Sequence, residues 1–133
     1  MTDINHVFHM LSWDSDDETQ AAGIREAGNI EYLSVLFQPI ESKGVWENCA
    51  KVIASKSDDV LRHYTFRMFE WLQDMNWPGA QIIWDRLIKM PADRISSAFQ
   101  YSLKKALALD DAPWLHCLSA FREAYETGTR TLI

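Results

Sequence analysis

Apolar positions recur at helical spacing along almost the whole chain. Ile4, Val7, Phe8 and Leu11 follow the i, i+3, i+4, i+7 pattern of one helical face. Ser15 and Glu18 have the spacing of a capping box, with Asp16 and Asp17 in the first turn between them. They predict a second helix, which Gly28 stops. Asn29 is placed to cap a third helix through Ile30, Leu33, Leu36 and Phe37, ended by Pro39, so that the second and third would form a tight hairpin. From about Lys43, the set Val45, Trp46, Cys49, Val52 and Ile53 reads as a fourth.

Ser57, followed by Asp58 and Asp59, caps a fifth helix reaching Leu72. Leu61, Tyr64, Met68, Trp71 and Leu72 make one stripe on it, and Phe66 and Phe69 add a second. So wide an apolar arc predicts a helix at the centre of the fold, covered on two sides. Asn76 before Trp77 and Pro78 reads as a cap with proline in the first turn, opening a sixth helix through Ile83, Trp84, Leu87 and Ile88 that Pro91 closes. Ile95, Ala98, Phe99, Ser102, Leu103 and Ala106 give a seventh. Asp110 and Asp111 lead into an eighth through Trp114, Leu118, Phe121 and Tyr125, ended by Thr127, Gly128 and Thr129.

Eight helices on short connections predict an all-α fold of antiparallel hairpins, arranged as a HEAT-like right-handed array. Ser15-Asp16-Asp17 recurs as Ser57-Asp58-Asp59 after 42 residues, a spacing within the roughly 40–47 residues of HEAT and armadillo units. Asp110-Asp111 follows 52 residues later, which makes the repeat irregular. Five glycines and four prolines against six Trp, six Phe and four Tyr also favour helices packed on helices over a turn-rich β architecture. A length of 133 residues with 47% apolar content is that of one globular domain, covering residues 1–133.

Charge narrows the function. The net charge is −6, and residues 1–31 carry all of it, with seven acids against one base, Arg25. An autonomous nucleic-acid binder needs a basic stripe to displace counterions from phosphates, and none is present. A basic partner would be drawn to the first third of the chain. The sequence lacks a signal-peptide pattern and a bilayer-length apolar run, and its two cysteines, Cys49 and Cys117, sit in apolar helical patterns. These features predict a cytoplasmic protein with free buried thiols and no membrane contact.

Candidate chemistry is sparse. His6 and His9 lie one turn apart, yet no Glu or Cys completes a metal-ligand set, so no metal or other cofactor is expected. His116 and Cys117 are adjacent and point about 100° apart on a helix, which rules out a thiolate–imidazole pair between them. His63, beside Tyr64 in the densest apolar segment, is expected in the core. The pairs Asp16-Asp17, Asp58-Asp59 and Asp110-Asp111 could share acid and base work, but all three fall where helices begin, and capping explains them. With Gly-rich phosphate loops, G-x-S-x-G and H-E-x-x-H missing, the chain reads as a non-enzyme. Trp71 and Trp84 fit core stripes, while Trp13, Trp46, Trp77 and Trp114 fall at helix ends or turns, where they can lock hairpins together. Trp13 differs, because it adjoins Asp14, Ser15, Asp16, Asp17 and Glu18 and so places an aromatic anchor inside the acidic stretch.

The stretch Trp71-Leu72-Gln73-Asp74-Met75-Asn76-Trp77-Pro78-Gly79-Ala80, with Trp46-Glu47-Asn48-Cys49-Ala50-Lys51 and Ser55-Lys56-Ser57-Asp58-Asp59 before it and Leu109-Asp110-Asp111-Ala112-Pro113-Trp114 after it, resembles small bacterial HEAT-like proteins of the immunity type. These occur in contact-dependent growth inhibition and other polymorphic toxin systems. The resemblance implies a non-enzymatic protein that binds one cognate toxin domain and blocks it. A nuclease toxin must be basic to hold phosphate, which fits the acidic stretch. The expected contact is therefore Trp13, Asp14, Asp16, Asp17 and Glu18, with Asp58 and Asp59 as a second acidic point if the repeat brings the two helix starts to one edge. A HEAT-like adaptor or regulator with a non-toxin partner is the alternative.

Overall fold

The computed structural model describes residues 3–40, 42–127 and 130–132, and these are all-α. Eight α-helices run in order: α1 (Ile4–Leu11), α2 (Asp17–Ala27), α3 (Trp46–Ala54), α4 (Asp58–Leu61), α5 (Thr65–Trp71), α6 (Ala80–Ile88), α7 (Ala92–Ala108) and α8 (Ala112–Glu126). Two 3₁₀ turns, Leu33–Leu36 and Lys43–Val45, fill the long connection between α2 and α3. Helix packs on helix in sequence, α1 on α2, α2 on α3, α3 on α6, α5 on both α6 and α7, and α7 on α8. Gly128 and Thr129, expected to end α8, lie outside the described residues.

The expected number of helices is met, but two of them are redistributed. The helix expected over Ile30 to Phe37 does not form. Asn29 extends the end of α2 by donating its N–H to Glu26 O, and Leu33, Leu36 and Phe37 reach the core from a single 3₁₀ turn. Tertiary bonds replace helical ones here. Arg67 Nη2 donates to Phe37 O at 3.3 Å and the Trp46 indole N–H to Pro39 O at 2.7 Å, while Gln38 takes φ +49°. The expected fifth helix is instead two, separated by a turn over Arg62, His63 and Tyr64 in which Tyr64 N donates back to Leu61 O. Two helices with different buried faces, read as one, produce the apolar arc that is too wide for a single face. Because His63 sits in that turn it is exposed and not a core residue.

The start signals also shift. The second helix is capped by Asp16, whose carboxylate accepts from Thr19 N at 2.7 Å, whereas Ser15 Oγ donates to His9 O. The later helix start is capped by Ser57 itself, so the two members of the 42-residue echo cap one residue out of register. The sixth helix begins at Ala80 and not at Trp77, with Gly79 as its N-cap at φ +86°.

The stretch from Trp71 to Gly79 is a corner built on aromatic clamps. The Trp71 indole N–H donates to Pro78 O at 3.0 Å, and Trp46 stands edge-on to both Trp71 and Trp77. A Cβ on Gly79 would lie 2.8 Å from Ala50 Cβ and 3.0 Å from Trp46 O, so α3 and the corner can meet only at a glycine. Trp114, in the first turn of α8 as expected and fully buried, donates its indole N–H to Phe69 O at 3.1 Å. Phe69, Phe99, Phe121 and Tyr125 complete the aromatic centre, with Trp84 only half-buried at its edge. Met68, Phe69 and Trp71 are fully enclosed, which puts α5 at the centre of the packing.

Candidate functional site

The acidic stretch forms the loop from α1 into α2. Asp3 caps α1 through Asn5 N, and Val7 and Leu11 anchor the helix in the core. Close contact with α2 is possible because Gly23 faces α1, where a Cβ would lie only 2.8 Å from Met10 Cβ. The loop between them is held by several hydrogen bonds. Ser12 Oγ accepts from Asp14 N at 3.2 Å, Trp13 N donates to Gly44 O at 3.1 Å, and Gln20 Nε2 donates to Ser15 O at 2.7 Å.

Asn48, a buried polar residue of α3, ties this loop to the rest of the protein. Its Nδ2 donates to Leu11 O at 2.8 Å and to Gln20 Oε1 at 2.9 Å. Asn48, Gln20 and Ser15 therefore form one chain of hydrogen bonds from the core to the loop. Buried polar groups cost free energy unless fully paired, and this one is paired on the atoms that set the loop position. Asn48 was not singled out in the sequence, where it reads as one more polar position on a helix.

Upon this frame Trp13 is 51% exposed, and Asp14, Asp16, Asp17 and Glu18 all face solvent. Hydrogen bonds from Thr19, its backbone N–H first, hold the Asp16 carboxyl below its ordinary value. Among the described residues no ion pair involves these acids. Beside the loop, Asn5, Phe8, His9, Ser12, Ser42 and Val45 line a depression of about 280 Å³.

Asp58 and Asp59 are placed differently. Asp58 Oδ1 lies 2.7 Å from Arg86 Nη2, and Asp59 Oδ1 lies 2.7 Å from Arg94 Nη2. Arg86 also donates to Ala54 O and Lys56 O, so it staples the α3–α4 junction onto α6. Lys56 Nζ donates to Gly28 O at the C-terminal end of α2, whereas Asp16 and Asp17 begin that helix. The two acidic points thus lie near opposite ends of α2, about 16 Å of helix apart.

Cysteine chemistry is suppressed by burial, which pushes the Cys49 thiol up to about 12 and the Cys117 thiol up to about 11. Both are therefore protonated, poor nucleophiles at neutral pH. His6 and His9 are exposed on α1, and no group of three His, Cys, Asp or Glu among the described residues is arranged to hold a metal ion. No helix among the described residues is long and apolar enough to cross a membrane.

A second concave feature lies between the corner, α6 and the start of α8. It is a groove of about 680 Å³ floored by Leu72, Met75, Trp84 and Cys117, with Asp74 and Asp111 on its rim. Comparison with curated proteins and with solved structures gives no match. Residues 46–131, about two thirds of the chain, match the family described as a domain of unknown function (DUF5071), and the protein belongs to that family.

Proposed function

We propose that this chain is an immunity protein of the HEAT-like type, acting in the bacterial cytoplasm, that binds a cognate basic toxin domain and blocks its active site without catalysing a reaction. The observation that carries this reading is the loop of Trp13, Asp14, Asp16, Asp17 and Glu18, exposed and free of internal ion pairs among the described residues. A nuclease must present cations to phosphate, and a rigid anionic loop around an aromatic anchor complements such a surface in charge and in hot-spot chemistry. Its preorganisation through Asn48 and Gln20 reduces the ordering cost of association. Asp58 and Asp59 contribute less to this surface, because Arg86 and Arg94 already compensate them.

The experiment is co-expression with the product of the reading frame encoded directly upstream. The expected outcome is a complex that copurifies and in which nucleic-acid cleavage is suppressed. An upstream product that is cationic and toxic, yet neither bound nor inhibited, contradicts the proposal.

A further inference from the structure

We infer that the groove between the Trp71–Gly79 corner, α6 and α8 docks a basic amphipathic peptide segment of a partner protein. Its apolar side chain would lie on the floor and its lysine or arginine at the rim. Leu72, Met75, Trp84 and Cys117 supply an apolar floor, and a volume of about 680 Å³ accommodates bulky side chains together with their backbone. Methionine at such a surface adapts to differently shaped anchors.

The rim supplies the charge. Asp74 accepts Asn76 N at 2.8 Å and Asp111 accepts Trp114 N at 3.1 Å, which fixes both carboxylates while leaving further oxygen lone pairs for a ligand. Neither carboxylate has an ion-pair partner among the described residues, and no Lys or Arg lines the groove, whose other polar side chains are Gln73, Gln81 and His116. Its electrostatic complement is a cation.

The indole of Trp84 adds a third element. Trp46, Trp71 and Trp114 each donate their indole N–H to a backbone carbonyl, whereas those of Trp13, Trp77 and Trp84 donate to no group among the described residues, and of these three Trp84 lines the groove. A peptide carries all three complements at once, as an apolar side chain, a cationic side chain and a backbone carbonyl. A lipid tail or a neutral apolar molecule offers the first alone. This surface goes beyond the proposed toxin contact, because the groove lies wholly within the family-matched residues and the acidic loop lies outside them.

The test titrates the full chain with a short acetylated and amidated helical peptide carrying two leucines one turn apart flanked by lysines, and with its glutamate counterpart. Binding is read by fluorescence anisotropy and by the NMR resonance of the Trp84 indole N–H. The lysine peptide is expected to move that resonance and to bind about tenfold more tightly than the glutamate peptide. Asp74→Asn with Asp111→Asn keeps the turn-capping acceptors and should abolish the preference, and Ala120→Trp should block the groove. Asp14→Asn, Asp17→Asn and Glu18→Gln together should leave the Trp84 shift in place, which separates this surface from the acidic loop. Equal binding of the two peptides, shifts confined to residues 13–18, or undiminished binding in the double-asparagine variant overturns the inference. A Trp84 shift that grows with protein concentration in the absence of peptide would assign the groove to a second copy and overturn it as well. If Ala120→Trp fails to fold, the double-asparagine variant decides.

Discussion

Residues 1–45 and residues 46–131 are built from the same helical material but use charge in opposite ways. The family-matched part holds eleven acids and eleven bases, and the four ion pairs among the described residues all lie within it. The first 45 residues hold eight acids against two bases, and among those described none is in an ion pair. The difference extends to tryptophan. Trp46, Trp71 and Trp114 are buried and clamp carbonyls, whereas Trp13 stands half in solvent. Compensated charge and enclosed indoles serve the architecture. Uncompensated charge around an exposed indole is available for a partner.

The sharpest way to break this division is Trp71→Ala. Removing a fully buried indole that bridges Trp46, Phe37 and Pro78 should cost about 3–5 kcal/mol, read by urea unfolding. A loss below about 1 kcal/mol would contradict its place in the core. Next in size is Gly23→Ala, which forces α2 away from Met10 of α1 and should cost about 1–3 kcal/mol. Hydrogen exchange should show the loosening concentrated in residues 4–27 and α6 to α8 still protected. Uniform loss of protection would mean the acidic hairpin is no separate unit.

Smaller effects test the charges. Asp58→Ala, which strips Arg86 of its carboxylate partner, should cost about 1 kcal/mol, and Asp59→Ala about 0.5 kcal/mol or less because that pair is largely exposed. Replacing Asp14, Asp17 and Glu18 with their amides should leave stability unchanged to within about 0.5 kcal/mol. The smallest effects concern pH. Both thiols are raised above the ordinary 9.0, so their contribution is fully present below pH 9 and is lost as pH rises through about 11 and 12. Cys49→Ala should flatten that alkaline decline. Asp16 is shifted the other way, so its contribution holds above its ordinary 3.8 and fades as pH falls below it. Chemical denaturation across pH measures both.

What the sequence made legible followed from local rules. Periodicity found the faces of α1, α3, α7 and α8, and Asp110 with Asp111 marked the start of α8, which Asp111 caps. The failures arise where distant groups decide. Asn29 and Pro39 frame a plausible helix, but the carbonyls of Phe37 and Pro39 are taken by Arg67 and Trp46, residues that no local window includes. The break at Arg62–Tyr64 was hidden because each half of the segment is apolar on its own face. The acidic loop was visible as a run of Asp and Glu, while its support by Asn48 was not, since a buried amide joining Leu11 O to Gln20 has no spacing signature. That Asp58 and Asp59 are neutralised was equally hidden, because Arg86 and Arg94 lie 28 and 35 residues further on.

The central claim, that the uncompensated loop is the surface a basic toxin meets, is tested most directly by association kinetics. Asp14→Lys, Asp17→Lys and Glu18→Lys together reverse the loop and retain Asp16 as the cap of α2, with circular dichroism checking that the helices remain. Charge complementarity acts chiefly on the encounter rate and is screened by salt. The triple variant should associate with the upstream-encoded toxin about tenfold more slowly than the parent at low ionic strength, and the gap should narrow in high salt with little change in dissociation. Association at the parental rate in low salt would contradict the account and place the toxin contact away from residues 13–18.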